Sequence, residues 1–366
     1  MKRVVSFMVV LGLCTLGIAG CGNGGNQDKT AGKTEAGTSA GSAVPKASEA
    51  ETGADRGKMV LYSTESDDLI NLVVPGFEEK YGIEVEIVTA GTGEMIKRIQ
   101  SEKESPMADV LLGASYLMAK NNQELFEDYP SAENDNLLDD FKFNGVGQYK
   151  MGCSVLLVNT DLIGDIEIKG YKDLLDPDLK GRIAMADAAA SSSSFDHLIN
   201  MLVDFSPEGQ YESDEAWDYV QELLYNVDGK ILNGSSAVHK GVVDGEYAVG
   251  ITYEDPSASY ILNGATNVEV VYMDEGVIFF GSALNIIKGA ENMDNAKLFV
   301  DYVMSEEVQD RLGTEACLRS VRKDAEIGTH MKPLGEINVK NVDVNWVSDN
   351  QNAITAKFTD LMTNVE

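Results

Sequence analysis

The sequence predicts an α/β protein in which mostly parallel strands carry helices on their faces, and three observations predict it. Short apolar strands and amphipathic helices alternate in the order βαβαβ between residues 59 and 113. Further short strands, several of them separated by helical patterns, recur as far as residue 288. The part of the chain able to fold, Lys58 to Glu366, is long enough for two lobes of ordinary domain size.

Residues 1–20 predict export. Lys2 and Arg3 form a basic start, Val4 to Leu16 is an almost wholly apolar run of about 13 residues, and the stretch closes on small residues. A spanning helix needs about 20 apolar residues, so this run reads as a signal peptide. Leu16-Gly17-Ile18-Ala19-Gly20-Cys21 resembles the bacterial lipobox, whose cysteine is acylated and becomes the mature N-terminus. The expected product is extracytoplasmic and held to the membrane by a lipid on Cys21. Of the four cysteines, Cys14 leaves with the signal, so the folded part keeps Cys153 and Cys317, which either pair or sit apart as small buried hydrophobes.

Residues 21–57 are expected to be the acylated cysteine and a flexible tether. From Gly22 onward they are nearly all Gly, Ala, Ser, Thr, Glu and Lys, with no aromatic residue to build a core. The stretch G-T-S-A-G at 37–41 matches a hydrolase nucleophile elbow in form only, since that motif requires a strand before it and a helix after it.

In the folded part, MVLYS at 59–63 reads as a strand, residues 67–81 as a helix, and IEVEIVT at 83–89 as an alternating strand. A helix over 93–103 carries Met95, Ile96 and Ile99 on one face and leads to the buried strand ADVLLG at 108–113. SVLLVN, RIAMAD, YAVGIT, VEVVYM and ALNIIK are further strands, with helices expected over 216–227 and 295–305.

Ligands of open α/β sheets bind beyond the carboxyl ends of the strands, and here those turns repeat one chemistry. The first strand is followed by Ser63, Thr64, Glu65 and Ser66, the second by Gly91, Thr92 and Gly93, the third by Gly113, Ala114 and Ser115. The second half adds Ser191 to Ser194, with Ser192 and Ser193 favoured as contacts, and then Gly234, Ser235 and Ser236. Hydroxyls and free N–H groups at helix starts suit an anion, although any one such turn is as readily an ordinary N-cap.

The formal charge of -31, becoming about -33 without the signal's two basic residues, makes nucleic acid and anionic lipid headgroups poor partners. Enzymatic signals are weak. A-G-T-G-E-M at 90–95 has Ile96 where a dinucleotide fingerprint needs its third glycine, and the chain carries no Walker A or HExxH sequence. His197, His239 and His330 match no zinc spacing, so neither catalytic residues, a resident metal nor a cofactor is expected.

Several stretches together resemble a known family: VLYSTES at 60–66, RIQSEKESPMADVLLGAS at 98–115, GRIAMADAAASSSSFDHL at 181–198 and SSAVHKGVVDGEYAVGITYEDPSASY at 235–260. ALNIIKGAENMDNAKLFVDYVMSEEVQDRL at 283–312 and RSVRKD at 319–324 continue it. In this order they resemble type II periplasmic solute-binding proteins of ABC importers, in the group that contains ferric-ion, phosphonate and sugar-phosphate receptors. The resemblance implies two α/β lobes joined by crossing strands, 58–152 plus 277–322 and 153–276 plus 323–366, with a solute in the cleft and permease transmembrane subunits as partners.

In ferric members of that family iron is held by adjacent tyrosines, helped by a histidine and a carboxylate. Here Tyr253 is followed by Glu254, Ser66 stands at the histidine position and Ala114 at the acidic one. These departures favour a small phosphate- or phosphonate-bearing anion, with a ferric ion as the alternative, since Tyr253, Glu254 and Asp255 still offer oxygen ligands. Arg319 and Arg322 are expected to neutralise the anion, and Glu254 or Asp255 to accept from its hydroxyls or an amine.

Overall fold

The structure, a computed structural model, describes residues 57–365. The signal, acylation and tether readings, Cys21 included, fall outside the described residues. Strand β1 (Lys58–Ser63) leads into helix α1 (Asp67–Tyr81). Ser66 starts this helix: its Oγ accepts from the Leu69 N–H at 3.5 Å, and Asp67 and Asp68 favour the positive end of the helix dipole. Gly82 stops it at φ 65°, a left-handed conformation that a Cβ disfavours. Leu69, Ile70, Val73, Val74 and Phe77, three and four apart, form its buried face.

Strands β2 (Glu84–Thr89) and β3 (Val110–Ser115), with helices α2 (Thr92–Ser101) and α3 (Tyr116–Lys120), complete the first wound unit. β1 lies parallel to both, with Leu61 opposite Ile87 and Val110. Alternate residues cover both faces of this sheet. Leu61, Val110 and Leu112 pack with Val73 and Phe77, whereas Tyr62 and Leu111 pack with Met95 and Ile99. Double-sided burial is why these strands read as near-continuous apolar runs.

Strand β4 (Gln148–Asn159) is 12 residues long, twice the length of β1. After it come β5 (Ile183–Ala186), α4 (Ser192–Phe205), α5 (Asp214–Val227), β6 (Ile231–Leu232), α6 (Ser235–Val243), β7 (Val249–Tyr253), α7 (Glu254–Leu262) and β8 (Val268–Val271). β5 is parallel to β6 and β7, and the second half of β4 is antiparallel to β7 and β8, with Leu156 opposite Ile251 and Val271. β9 (Val277–Ile286) returns along the first half of β4, Met151 opposite Gly281, and then pairs with β3, Val110 opposite Ile286.

Helices α8 (Met293–Val303) and α9 (Glu306–Ala316) pack on the first unit through Phe299, Val303 and Val308. β10 (Arg319–Ser320) adds antiparallel to β4, with Ser320 opposite Lys150. β11 (Val339–Lys340) runs parallel to β9, and α10 (Val344–Val365) lays Val347, Ile354 and Phe358 against the second unit's core.

Two large cores result, and two strands are shared between them. Met151 belongs to the first core, Cys153 and Val155 to the second. Along β9, Val277 and Ile278 pack in the second core and Leu284 and Ile286 in the first, while Phe279 touches both. Along β9 the passage from the second core to the first therefore falls after Ile278. Among the described residues no helix is long and apolar enough to cross a membrane.

Candidate functional site

The capping of the strand-to-helix turns sorts the predicted residues. Ser63 is buried and its Oγ accepts from the Glu65 N–H at 3.1 Å. Thr64 Oγ1 accepts from the Ala114 N–H at 2.6 Å, and Ser115 Oγ caps α3 by accepting from the Met118 N–H at 3.3 Å. These oxygens hold the first lobe's turns in shape. Gly113 and Ala114 have φ of 95° and 68°, and a Cβ on Gly113 would lie 2.3 Å from Thr64 Oγ1. Ala114, a non-glycine residue in the left-handed region, stores strain beside this turn.

Six helices start without that arrangement, α8 and α9 of the first lobe among them. Gly91, Ser191, Gly234 and Tyr253 stand at the N-cap positions of α2, α4, α6 and α7 and make no side-chain cap bond. The uncapped first turns bring the N–H groups of Thr92, Gly93, Ser192, Ser193, Ser235 and Ser236 to positive helix ends. In α4, Ser191 Oγ and Ser193 Oγ lie 3.2 Å apart, Ser192 is exposed, and Ser194 turns inward to donate to the Ala186 carbonyl.

Lys150, on the shared strand β4, links the two lobes. Its Nζ lies 3.0 Å from Glu65 Oε2, in the turn after β1, and 3.6 Å from Asp255 Oδ2, in the first turn of α7. The three side chains are only 12 %, 13 % and 16 % exposed. Burial works against the ammonium charge, yet Glu65 and Asp255 raise its pKa above the usual lysine value. Burial pushes the Asp255 carboxyl up to about 6 despite Lys150, and its Oδ1 is buried without a hydrogen-bond partner. Gly152 leaves room here, since a Cβ on it would stand 4.0 Å from Asp255 Oδ1. Tyr253, two residues before Asp255, has its phenol pKa raised by burial and by Asp255, and its ring meets that of His239 at 6.2 Å.

The two arginines have carboxylate partners within the chain. Arg319, expected to face an anion, donates from Nε to Glu254 Oε2 at 3.0 Å, from Nη2 to Glu254 Oε1, and also to the Lys332 carbonyl at 2.8 Å. Tyr272 adds a hydroxyl donor to Glu254. Glu254 is accordingly a buried partner of Arg319, although it adjoins Asp255 in sequence. Arg322 is likewise held by Glu133, Asp324 and the Met304 carbonyl in the first lobe. Each guanidinium is thus engaged by carboxylates of the chain itself, with its side chain 2 % exposed.

Two histidines have local roles. His197 is buried between the Tyr171 hydroxyl, 2.7 Å from Nδ1, and the Thr252 carbonyl at Nε2. That pairing fits the neutral tautomer with its proton on Nε2, and burial holds its pKa down to about 4. His239, lowered to about 4 by burial, meets the Tyr260 hydroxyl at 3.2 Å. Cys153 and Cys317 are separate buried thiols. Among the described residues no group of three or more His, Cys, Asp or Glu is gathered as a metal site.

Sequence reasoning missed Lys150 and gave Glu65 no role beyond its turn. A signal existed for Lys150: it is the single charge inside QYKMGCSVLLVN, a strand otherwise mostly buried. A lysine in such a place needs a partner or a task.

Comparison with known proteins agrees with this architecture. The pattern describing bacterial extracellular solute-binding proteins matches residues 73–331, and the chain belongs to that family. It is a solute-binding protein of the kind that serves ABC importers, and its relatives bind solutes rather than catalyse reactions. An uncharacterized protein of Haemophilus influenzae is 30% identical over 267 residues, 70% of this chain and 75% of that one. Iron uptake protein A1 of Synechocystis is 25% identical over 281 residues, 72% and 76% of the two chains. The periplasmic binding protein AfuA of Actinobacillus pleuropneumoniae, solved with exogenous fructose-6-phosphate bound, superposes with a TM-score of 0.72 at 26% identity, covering 84% of this chain and 99% of that one. The two-lobed fold expected from the sequence is that of these proteins.

Proposed function

We propose that the chain captures a small phosphate- or phosphonate-bearing anion between its lobes and delivers it to a membrane permease, held at the membrane by a lipid on Cys21. The observation that carries the reading is Lys150, a nearly buried ammonium reached by turns of both lobes. The first turns of helices α2, α4, α6 and α7, which make no side-chain cap bond, offer N–H donors suited to oxyanions. The likeness to a protein holding fructose-6-phosphate supports the same class of solute.

Calorimetric titration with phosphate esters and phosphonates tests this. Lys150→Met removes a charge-assisted hydrogen bond and lowers affinity by about tenfold to hundredfold. Ferric ion is the second reading, favoured by the likeness to iron uptake protein A1 and by Tyr253 beside Asp255. It predicts a tyrosinate-to-iron absorption band on adding ferric citrate. A ferric complex stable to competing citrate, with no heat from any phosphate, reverses the order of the two readings. The anchor is tested separately: Cys21→Ser moves the protein out of the membrane fraction, and persistence there through a high-salt wash sinks that part.

A further inference from the structure

Strand β8 pairs with β4 along one side only, which leaves its other side as a free edge of the second lobe's sheet. Two bonds show which of its backbone groups face outward. The Thr160 N–H donates to the Asn267 carbonyl at 2.9 Å, across the β4–β8 ladder, whereas the Asn159 N–H turns to the other side of β4 and donates to the Ala248 carbonyl at 2.8 Å. Inward and outward groups alternate along an antiparallel pair, so Glu269 and Val271 bond to β4, while Val268 and Val270 direct their N–H and C=O groups away from it. Among the described residues nothing pairs with these outward groups. The edge opens into a groove of about 560 Å³, the size of a ligand pocket, lined by all four residues of β8, by Ile168 and Ile261, and by the loop Thr329–Lys332. That loop is held in place at Lys332, whose N–H donates to the Tyr272 hydroxyl at 3.2 Å and whose carbonyl accepts from Arg319 at 2.8 Å.

We propose that this edge docks an extended segment of another extracytoplasmic polypeptide, which adds as a further strand beside β8 through the free groups of Val268 and Val270 and sets an acidic side chain against Lys332. Charge decides the kind of occupant. The Lys332 ammonium stands 5.9 Å from the centre of the Tyr272 ring and, among the described residues, has no carboxylate within ion-pair reach, whereas Lys169 on the same groove is already met by Glu167 at 2.8 Å. Of the two carboxylates at the groove, Asp274 acts on Lys169, and Glu269 belongs to the face of the strand opposite Val268 and Val270. A second copy of the chain would bring a formal charge of -31 against its like, which works against pairing of one β8 edge with another. A segment of different sequence, with one carboxylate among apolar residues, meets both the apolar lining and the unmatched lysine.

Fluorescence anisotropy tests this on the protein made without its lipid anchor. The probes are dye-labelled five-residue peptides that alternate valine and threonine and carry one glutamate at each position in turn. At least one should bind, and N-methylation of alternate backbone amides should weaken it by about tenfold or more in one of the two possible patterns and little in the other, since a docked strand uses only one edge. Val270→Pro removes an outward donor and leaves the β4 ladder intact, as proline does on edge strands, so it should weaken the same peptide by about tenfold with the melting temperature near that of wild type. Lys332→Gln should cost the glutamate peptide about threefold to tenfold and its glutamine twin almost nothing. No binding by any peptide at millimolar concentration, equal effects of the two methylation patterns, or undiminished binding to a folded Val270→Pro variant overturns the proposal. The methylated twins decide it even where the proline variant does not fold. A dimer seen in sedimentation and abolished by Val270→Pro gives the edge to a second copy of the chain, and overturns it equally.

Discussion

Glu254 and Asp255 are adjacent carboxylates at one helix start, yet they have opposite environments. Glu254 is fully buried and matched by a two-point contact with Arg319, whereas Asp255 shares Lys150 and leaves one oxygen unpartnered. Arg319→Met should cost about 3 to 5 kcal/mol, because it strands a buried charge on Glu254. Adding Glu254→Gln to that variant should recover much of the loss in urea denaturation, and no recovery would mean the pair is not the cause. Asp255 behaves the other way. Its folded pKa of about 6 lies above the unfolded value near 3.9, so the native state binds the extra proton and stability falls as pH rises between about 4 and 6. Two pKa units correspond to about 3 kcal/mol, so the stability of Asp255→Asn relative to wild type should rise by up to that amount between pH 4 and pH 7. A difference flat with pH would show that Asp255 is not held in this strained ionisation. The sequence marked 253–255 as a place for oxygen chemistry, but it did not say which carboxylate was free. That division depends on Arg319 and Lys150, residues 65 and 105 positions away, brought up by the pairing of β10 with β4.

Elements with a strong period were legible, and those with a mixed one were not. The bounds expected for α1, 67–81, coincide with the observed helix because Ser66, the acidic first turn and Gly82 all mark its ends. The first halves of β4 and β9 went unread. QYKMGC and VIFFGS include Lys150, Gly152 and Gly281, which serve the passage between lobes and break the apolar alternation. α10 also escaped, since only Val347, Ile354 and Phe358 of its 22 residues are buried deeply, on a background of Asn, Asp and Thr. The serine turns were recognised as a set, but capping divides them. Ser115→Ala should lower stability by about 1 kcal/mol and leave solute affinity nearly unchanged, as loss of an N-cap does. Ser193→Ala should do the reverse, costing about tenfold or more in affinity with little change in melting temperature. Equal effects of the two substitutions on affinity would remove the distinction between capped and uncapped turns.

At the scale of the whole molecule, the lobes share the long strands β4 and β9, and the Lys150 cluster lies where those strands pass from one core to the other. Strands that carry both cores can bend while each core stays rigid, which makes hinge motion the expected response to a solute that both lobes grip. Glu65 and Asp255 approach Lys150 from opposite lobes, so opening must lengthen at least one of the two ion pairs. Spin labels introduced at Lys97 on α2 and Lys240 on α6, both exposed, measure the separation directly. The native thiols should not interfere, since Cys153 and Cys317 are buried and burial pushes the Cys317 thiol up to about 11. In protein made without its lipid anchor, pulsed dipolar spectroscopy should give a broad distance distribution that narrows and shortens by several ångströms, about 3 to 10, when a binding solute is added. Lys150→Met should leave the broad distribution in place at the same solute concentration, because the group that both lobes address is gone. A single narrow distance, identical with and without a solute whose binding calorimetry has established, would show that this molecule takes up its ligand without moving its lobes.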